Sequence, residues 1–255
     1  MKALVCNKFG SFEDLLLSDL PNPDPLAGEV IIEVKAAGIN FPDLLTIRGE
    51  YQYKPSLPFV PGTEISGIVT RVGRSVKSRR VGDAVIAVHM GGFASQIAVP
   101  ELGTFLKPKN LSFEQGAGFA TTYGTGFYAL KQRAKLQRGE TVLVLGAAGG
   151  VGIAAIQLAK AMGARVIAAA STEEKLAFAR QAGATFCVNY LSEDLKQRVK
   201  ELTNGEGADV VCDPVGAKFS EQAFRATAWD GRFLVIGFAA GEIAKIPLNL
   251  ALLKG

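Results

Sequence analysis

The stretch Thr141–Lys175 constrains this chain more than any other. A short apolar run, Thr141-Val-Leu-Val-Leu145, leads into the glycine-rich turn Gly146-Ala-Ala-Gly-Gly-Val-Gly152, then a segment read as a helix, then a second apolar run, Val166–Ala170. A strand that turns on glycines into a helix leaves backbone N–H groups aimed at one spot. That spot sits at the positive end of the helix dipole, so it suits a pyrophosphate. Ala147-x-Gly149-x-x-Gly152 fits the dinucleotide fingerprint with alanine in place of the first glycine. Its place between two strands and at the start of a helix gives the triplet its meaning.

The rest of the composition narrows the class. The 255 residues suffice for one or two domains with a real core, and 48% are hydrophobic with ordinary aromatic content, as in a globular protein. The net charge of +4 is mild. Its positive residues are scattered apart from Lys77-Ser78-Arg79-Arg80, which reads as a solvated turn, so nucleic-acid binding has no further compositional support. No apolar run reaches the roughly 20 residues of a membrane span, and the strand-like start Met1-Lys2-Ala3-Leu4-Val5 does not resemble a signal peptide. Cys6, Cys187 and Cys212 stand far apart, as buried thiols in a reducing cytosol would.

Two textures divide the chain. Up to about residue 120 short β-rich segments alternate with Gly and Pro: Lys2–Asn7, Glu29–Gly38, Gly67–Val72, Ala84–Val88 and Gln96–Pro100. They predict a partly open barrel or small sandwich. Helices follow over Ser112–Phe119, with Ser112 as N-cap, and over Thr122–Ala134. Strands at 141–145, 165–170, 185–189, 209–213 and 232–237 then alternate with helices at 151–162, 173–182, 193–203 and 218–226. Alternation with near-continuous apolar strands predicts a doubly wound parallel sheet of the Rossmann type, covered on both faces. The chain stops soon after the fifth strand, where a sixth is usual. The expectation is therefore a truncated C-terminus, with the apolar tail Ile243–Leu253 as an element that has lost what it packs against.

The residues beyond the glycine turn bear on the cofactor. A carboxylate that holds a ribose 2′-hydroxyl belongs at the end of the second strand, and this chain has Ala170-Ser171-Thr172 there. Hydroxyls accept a 2′-phosphate that a carboxylate would repel, and Lys175 is placed to pair with it, which favours NADP over NAD. Glu173 and Glu174 read as first-turn residues complementing the helix dipole. Zinc lacks ligands: His89 is the only histidine, follows Ala84–Val88 and reads as a loop residue, and no Cys-x-x-Cys pair exists. On local grounds Asn40-Phe41-Pro42-Asp43 is a turn entering a helix, and Pro61-Gly62-Thr63-Glu64 a turn before a strand.

The same segments carry a resemblance. Ala37-Gly38-Ile39-Asn40-Phe41-Pro42-Asp43, Pro61-Gly62-Thr63-Glu64-Ile65-Ser66-Gly67, Gly82-Asp83-Ala84-Val85, Ala120-Thr121-Thr122-Tyr123, Gly146–Gly152, Val188-Asn189-Tyr190 and Asp213-Pro214-Val215-Gly216 resemble the zinc-free, zeta-crystallin-like quinone oxidoreductases of the medium-chain dehydrogenase/reductase superfamily. The resemblance runs over essentially the whole chain. It implies an α/β protein with a GroES-like catalytic and substrate domain over 1–120. A Rossmann domain over 121–255 follows, without the sixth strand and the return segment of the family. In zinc-dependent relatives a cysteine stands at the place of Asn40 and a histidine at that of Thr63.

What the resemblance implies about function is specific. NADPH would lie on Ala148, Gly149, Gly150 and Val151, with Ser171, Lys175 and Tyr190 at its 2′-phosphate. Asn40, Thr125, Gly237 and Phe238 would meet its nicotinamide end. Asn40, Asp43 and Tyr51 are the catalytic candidates. The expected reaction is hydride transfer from NADPH to a quinone in the interdomain cleft of a cytoplasmic enzyme. A quinone is electron-poor and its oxygens take protons from solvent, so no dedicated general acid is required. A double-bond reductase acting on enones, alkenals or enoyl thioesters is the nearest rival. It would need a proton donor such as Tyr51, Tyr53 or Tyr123. A non-catalytic, crystallin-like or RNA-binding role is the rival from another class. Family members form homodimers through the sixth-strand region that this chain lacks.

Overall fold

The chain opens on a two-stranded antiparallel ribbon in which β1 (Lys2–Val5) pairs with β2 (Leu16–Asp19), Leu4 opposite Leu17. The computed structural model describes residues 1–255, which divide into two units, Met1–Thr121 and Thr122–Gly255. No helix is long and apolar enough to cross a membrane.

The first unit is built on one antiparallel sheet. Its strands are β3 (Glu29–Gly38), β4 (Glu64–Val72), β5 (Ala84–Val88), β6 (Gln96–Pro100) and β7 (Thr104–Leu106), in the order β6-β3-β4-β5-β7. Val30, Ile32, Ile65, Val69, Val85, Ala87, Ile97 and Val99 form its core. Between β3 and β4 lies helix α1 (Phe41–Arg48), with Asn40 as its extended N-cap and Gly49 closing it in the left-handed region at φ 72°. Helix α2 (Phe113–Ala117) follows β7. The Ser112 hydroxyl accepts the Gln115 N–H at 3.2 Å and the Gln115 side chain accepts the Ser112 N–H at 2.9 Å, a reciprocal cap.

Two strands of this unit escape the sequence pattern. In β2 Leu16 and Leu17 are both exposed, so no buried face imposes alternation. The three residues of β7 are too few to show a period.

The second unit begins within helix α3 (Ala120–Phe127), which widens into a π-helical turn over Tyr128–Arg133 where the sequence predicts one regular helix. Strand β8 (Thr141–Val144) leads to α4 (Gly150–Ala161), β9 (Arg165–Ala170) to α5 (Glu173–Ala182), and β10 (Phe186–Asn189) to α6 (Leu195–Leu202). Strand β11 (Ala208–Asp213), α7 (Ala217–Arg225) and β12 (Thr227–Val235) complete the alternation. All five strands are parallel, in the order β10-β9-β8-β11-β12. Each face of the sheet has its own core: Val142, Val144, Ile156 and Val166 on one side, Leu143, Leu145, Ile167 and Val211 on the other. Burial on both faces explains why these strands read as unbroken apolar runs.

One expectation near the C-terminus needs correction. Strand β12 starts at Thr227, five residues before its expected start at Arg232. Its register shifts at Trp229-Asp230-Gly231, where Asp230 takes φ 56°, so the early part carries no strand signal. The apolar tail stays largely unpacked, with Ile243, Leu248, Leu252 and Leu253 exposed, and one residue of it is anchored. Leu250, on the single turn α8 (Asn249–Leu252), is buried, and Lys254 Nζ donates to Arg225 O at 2.8 Å and Thr227 O at 2.6 Å. A helix ends with carbonyls that lack donors, and the lysine satisfies that of Arg225, the last residue of α7, together with that of Thr227 at the start of β12.

Strand order reverses at β8, which lies between β9 and β11, so the crevice outside the carboxyl ends of β8 and β11 is the ligand position of such a sheet. The turn after β8 reaches that crevice because α4 starts tightly against it. A Cβ at Gly152 would lie 2.4 Å from Gly146 O and 2.9 Å from Ala147 Cα. Gly152→Ala is therefore expected to destabilise the second unit by about 1–3 kcal/mol, read as a lower urea midpoint. An unchanged midpoint would show that the helix start is not held by this approach.

Candidate functional site

The site candidates of the second unit lie around the carboxyl ends of its strands. Gly146 leaves β8 in the left-handed region at φ 55°, and Gly149 N–H donates to Gly146 O at 2.9 Å. Ala148 and Gly149 complete the turn, Gly149 is the N-cap, and Gly150 and Val151 are the first residues of α4. The N–H groups of Gly150, Val151 and Gly152 belong to the first helical turn and have no acceptor within the helix. A Cβ added at Gly149 would meet only Gly146 O, at 3.3 Å, so the space in front of these donors is open. A cradle of uncommitted N–H groups at a helix start fits a pyrophosphate.

The end of β9 supplies the next group. Ser171 follows β9, and Thr172 caps α5 by accepting the Lys175 N–H at 3.3 Å. That cap turns the Lys175 side chain back, and its Nζ donates to Ser171 Oγ at 3.1 Å. Tyr190 follows β10, and its N–H donates to Ala170 O at 3.2 Å. Burial holds the Tyr190 phenol above its ordinary pKa, partly offset by a hydrogen bond with the Ser171 hydroxyl. Its ring also packs on Phe219, with centroids 4.3 Å apart. Ser171, Lys175 and Tyr190, spread over twenty residues of sequence, thus converge on one point. Two hydroxyls and an exposed ammonium at the strand end, where Ala170 replaces an acidic residue, suit a phosphate rather than a free ribose hydroxyl.

Gly237 and Phe238 lie beyond β12, against the turn after β11. Gly237 N–H donates to Asp213 O at 3.3 Å and Ala239 N–H to Pro214 O at 3.1 Å. Asp213 is itself buried: Oδ1 accepts from the N–H groups of Val215 and Gly216 at 2.8 and 2.9 Å, and Oδ2 from the Ser220 hydroxyl. This fixes the 213–216 turn that touches Gly146 through Val215. Thr125 sits half-buried on α3. Tyr123, on the same helix, donates its hydroxyl to Gln157 Oε1.

The first unit holds the other candidates in a buried polar cluster. Asn40 N–H donates to Asp43 Oδ2 at 2.8 Å, and Thr63 Oγ1 donates to Asp43 Oδ1 at 3.0 Å. Asn40 Nδ2 donates to Glu64 Oε2 at 3.1 Å, while Glu64 Oε1 accepts the N–H groups of Ala120 and Thr121 at 2.5 and 3.1 Å. Asp43 and Glu64 are 1% and 0% exposed. With both oxygens bonded inside the fold, Asp43 holds Asn40 rather than reaching a substrate, which corrects its expected catalytic part. Tyr51 is half-buried after α1, its N–H donating to Leu45 O at 3.2 Å, and Tyr53 is exposed. Neither belongs to this cluster. His89 is exposed, and its N–H donates to Thr63 O at 2.9 Å. No group of three or more His, Cys, Asp and Glu side chains is arranged to hold a metal ion.

Sequence reasoning missed Glu64. The signal available was a carboxylate leading the otherwise apolar run Ile65-Ser66-Gly67-Ile68-Val69, a position where burial demands partners.

The chain is similar to known proteins. Residues 26–135 match the alcohol dehydrogenase GroES-like domain and residues 150–255 the zinc-binding dehydrogenase family. The chain is 44% identical to the quinone oxidoreductase-like protein 2 homolog of Nematostella vectensis, over 99% of this chain and 70% of that protein. It is equally identical to quinone oxidoreductase-like protein 2 of Rattus norvegicus, over 99% of this chain and 72% of that protein. The structure of Escherichia coli quinone oxidoreductase complexed with NADPH superposes with a TM-score of 0.93 at 35% identity, covering all of this chain and 78% of the other.

Asp43 generates a pH prediction. Burial is the main force raising its carboxyl above the ordinary aspartate value, and the nearby Glu64 charge adds to it; hydrogen bonds from Asn40 and Thr63 oppose both. The folded chain therefore holds this proton more tightly than the unfolded one, and stability falls as pH rises from the ordinary aspartate value through the raised one. Asp43→Asn lacks that loss. Its stability relative to the parent should rise across the weakly acidic range and level off towards neutrality. Urea titrations of both proteins at stepped pH test this, and a difference independent of pH would refute it.

Proposed function

The chain belongs to the medium-chain dehydrogenase/reductase superfamily, on its quinone oxidoreductase-like branch, and from that premise we propose that it is an NADPH-dependent reductase delivering hydride to a quinone. The observation that carries the reading is the convergence of Ser171, Lys175 and Tyr190 beside a glycine turn with open N–H groups. Gly149, Gly150 and Val151 would take the pyrophosphate, and the Ser171–Lys175–Tyr190 group the 2′-phosphate. The 237–238 backbone and Thr125 would meet the nicotinamide end.

Hydride transfer is the chemistry that bound NADPH supplies. The protein's share is to bind, to orient and to keep water from the reacting atoms. A quinone suits this set of side chains, because its reduced oxygens take protons from solvent. The buried carboxylate of Asp43, already committed to Asn40 and Thr63, is then not needed as an acid.

Titration of the purified chain with NADPH and NADH, followed by fluorescence, tests the reading together with NADPH oxidation by 1,4-benzoquinone. NADPH-selective binding with turnover is the expected result. Binding without turnover on quinones but with turnover on an enone would move the assignment to double-bond reduction, and no binding would refute it. Lys175→Ala should weaken NADPH by roughly tenfold, as loss of one charged hydrogen bond implies, and leave NADH unchanged; equal weakening would remove the 2′-phosphate assignment. Gly149→Val should abolish binding of both nucleotides; its Cβ would lie 3.3 Å from Gly146 O, so some loss of stability accompanies it, and circular dichroism checks that the variant still folds. Retained affinity would sink the pyrophosphate assignment.

A further inference from the structure

Ser171 and Lys175 share one segment and are tied together at the start of α5, but Tyr190 reaches them from a different strand. Where its hydroxyl lies therefore depends on the turn between β10 and α6. That turn has little apolar anchoring. Val188 and Leu195 are buried on either side of it, none of residues 189–194 is, and Leu191 is exposed. The Tyr190 ring lies against Phe219, a contact that tolerates sliding. Hydrogen bonds must set how far along the strand the ring sits.

Glu193 makes two of those bonds. It donates its N–H to Asn189 O at 2.8 Å, and its Oε1 accepts the Asn189 N–H at 2.6 Å. Strand β10 is the edge of its sheet, and the Tyr190 N–H is spent inward on Ala170 O of β9. Backbone groups alternate along a strand, so the Asn189 N–H points to the open edge, where no strand meets it. The Glu193 carboxylate takes the place of the missing strand and closes a ring across Asn189–Glu193 with Tyr190 inside it. The Asn189 side chain tightens the same turn, its Oδ1 accepting the Leu191 N–H at 3.1 Å. Arg198 holds the other oxygen, its Nε 3.5 Å from Glu193 Oε2. A partly exposed pair of this kind contributes little energy, but it keeps Oε1 turned to Asn189.

Resting on the NADPH reading above, we propose that Glu193 is a positioning residue for selection of the 2′-phosphate. Its carboxylate fixes the turn that brings the Tyr190 hydroxyl to Ser171 and Lys175. Charge alone would act with the opposite sign. A carboxylate near a phosphate subsite repels the phosphate, so removing the charge would tighten NADPH, whereas removing the bond that places Tyr190 weakens it.

Glu193→Ala should weaken NADPH by roughly fivefold, within the range of one lost hydrogen bond, and leave NADH unchanged. Glu193→Gln keeps an oxygen for the Asn189 N–H while Arg198 retains Glu201 at 2.9 Å, so its NADPH affinity should stay near that of the parent. In a Tyr190→Phe background, where the hydroxyl is already missing, Glu193→Ala should add no further loss. Amide exchange followed by NMR reads the bond with no nucleotide present. The Asn189 N–H should exchange slowly in the parent and in Glu193→Gln, and fast in Glu193→Ala.

Tighter or unchanged NADPH binding in Glu193→Ala would overturn the positioning role, as would a matching loss of NADH affinity or a further loss in the Tyr190→Phe background. Weakening in Glu193→Gln equal to that in Glu193→Ala would overturn it too, and fast exchange of the Asn189 N–H in the parent would do so without any nucleotide. A parent chain that binds neither nucleotide, or both equally, refutes the NADPH reading on which the selection rests. The exchange rates separate that failure from failure of Glu193 to hold the turn.

Discussion

The close approach between the start of α4 and the end of β8 is the constraint on which the second unit depends. With Gly146 O at 2.4 Å from where a Gly152 side chain would begin, the helix axis is drawn down onto the strand. Its first-turn N–H groups are thereby delivered to the crevice where strand order reverses. The rest follows by geometry. Val142 and Val144 fasten one face of β8 and Leu143 and Leu145 the other, so the turn is carried by a strand locked from both sides. The β9 and β10 ends beside it place Ser171, Lys175 and Tyr190 at one point. The ammonium of Lys175 is held by the Ser171 hydroxyl, one turn away in the same segment.

The first unit solves a different problem. It buries two carboxylates, Asp43 on α1 and Glu64 at the start of β4, and gives neither a cation. Burial of an unpaired charge is costly, and the structure meets the cost with backbone N–H groups, a hydroxyl and one amide. Such networks are expensive to keep half-satisfied, so every member is constrained by the others. Asn40, half-buried like Thr63, is held at both its backbone and its amide by the two buried carboxylates.

Much of this was legible in the residues. Strands β3, β5, β6 and β9 and helix α5 lie on the boundaries read from the sequence, because their hydrophobic patterns end at Gly, Pro or a capping residue. The elements that went unread share the opposite property. The exposed β2 has no buried face, the three residues of β7 are too few to show a period, and β12 begins with a register shift. The π-helical end of α3 has the same composition as an ordinary helix. Leu250 finds burial in a tail that local pattern treats as unpartnered.

By itself the sequence determined the parallel sheet, the glycine turn and the residue types at the strand ends, because alternation, apolar runs and glycine spacing are local properties. It also put a hydroxyl and a lysine where a carboxylate is usual. Only the tertiary structure decided that Asp43 faces inward, that Glu64 meets Asn40 across 24 residues and Ala120 across 56, and that Tyr190 comes beside Ser171. Those facts depend on which buried polar groups the folded chain brings within hydrogen-bonding distance. Burial, not residue type, makes the partners of Glu64 obligatory.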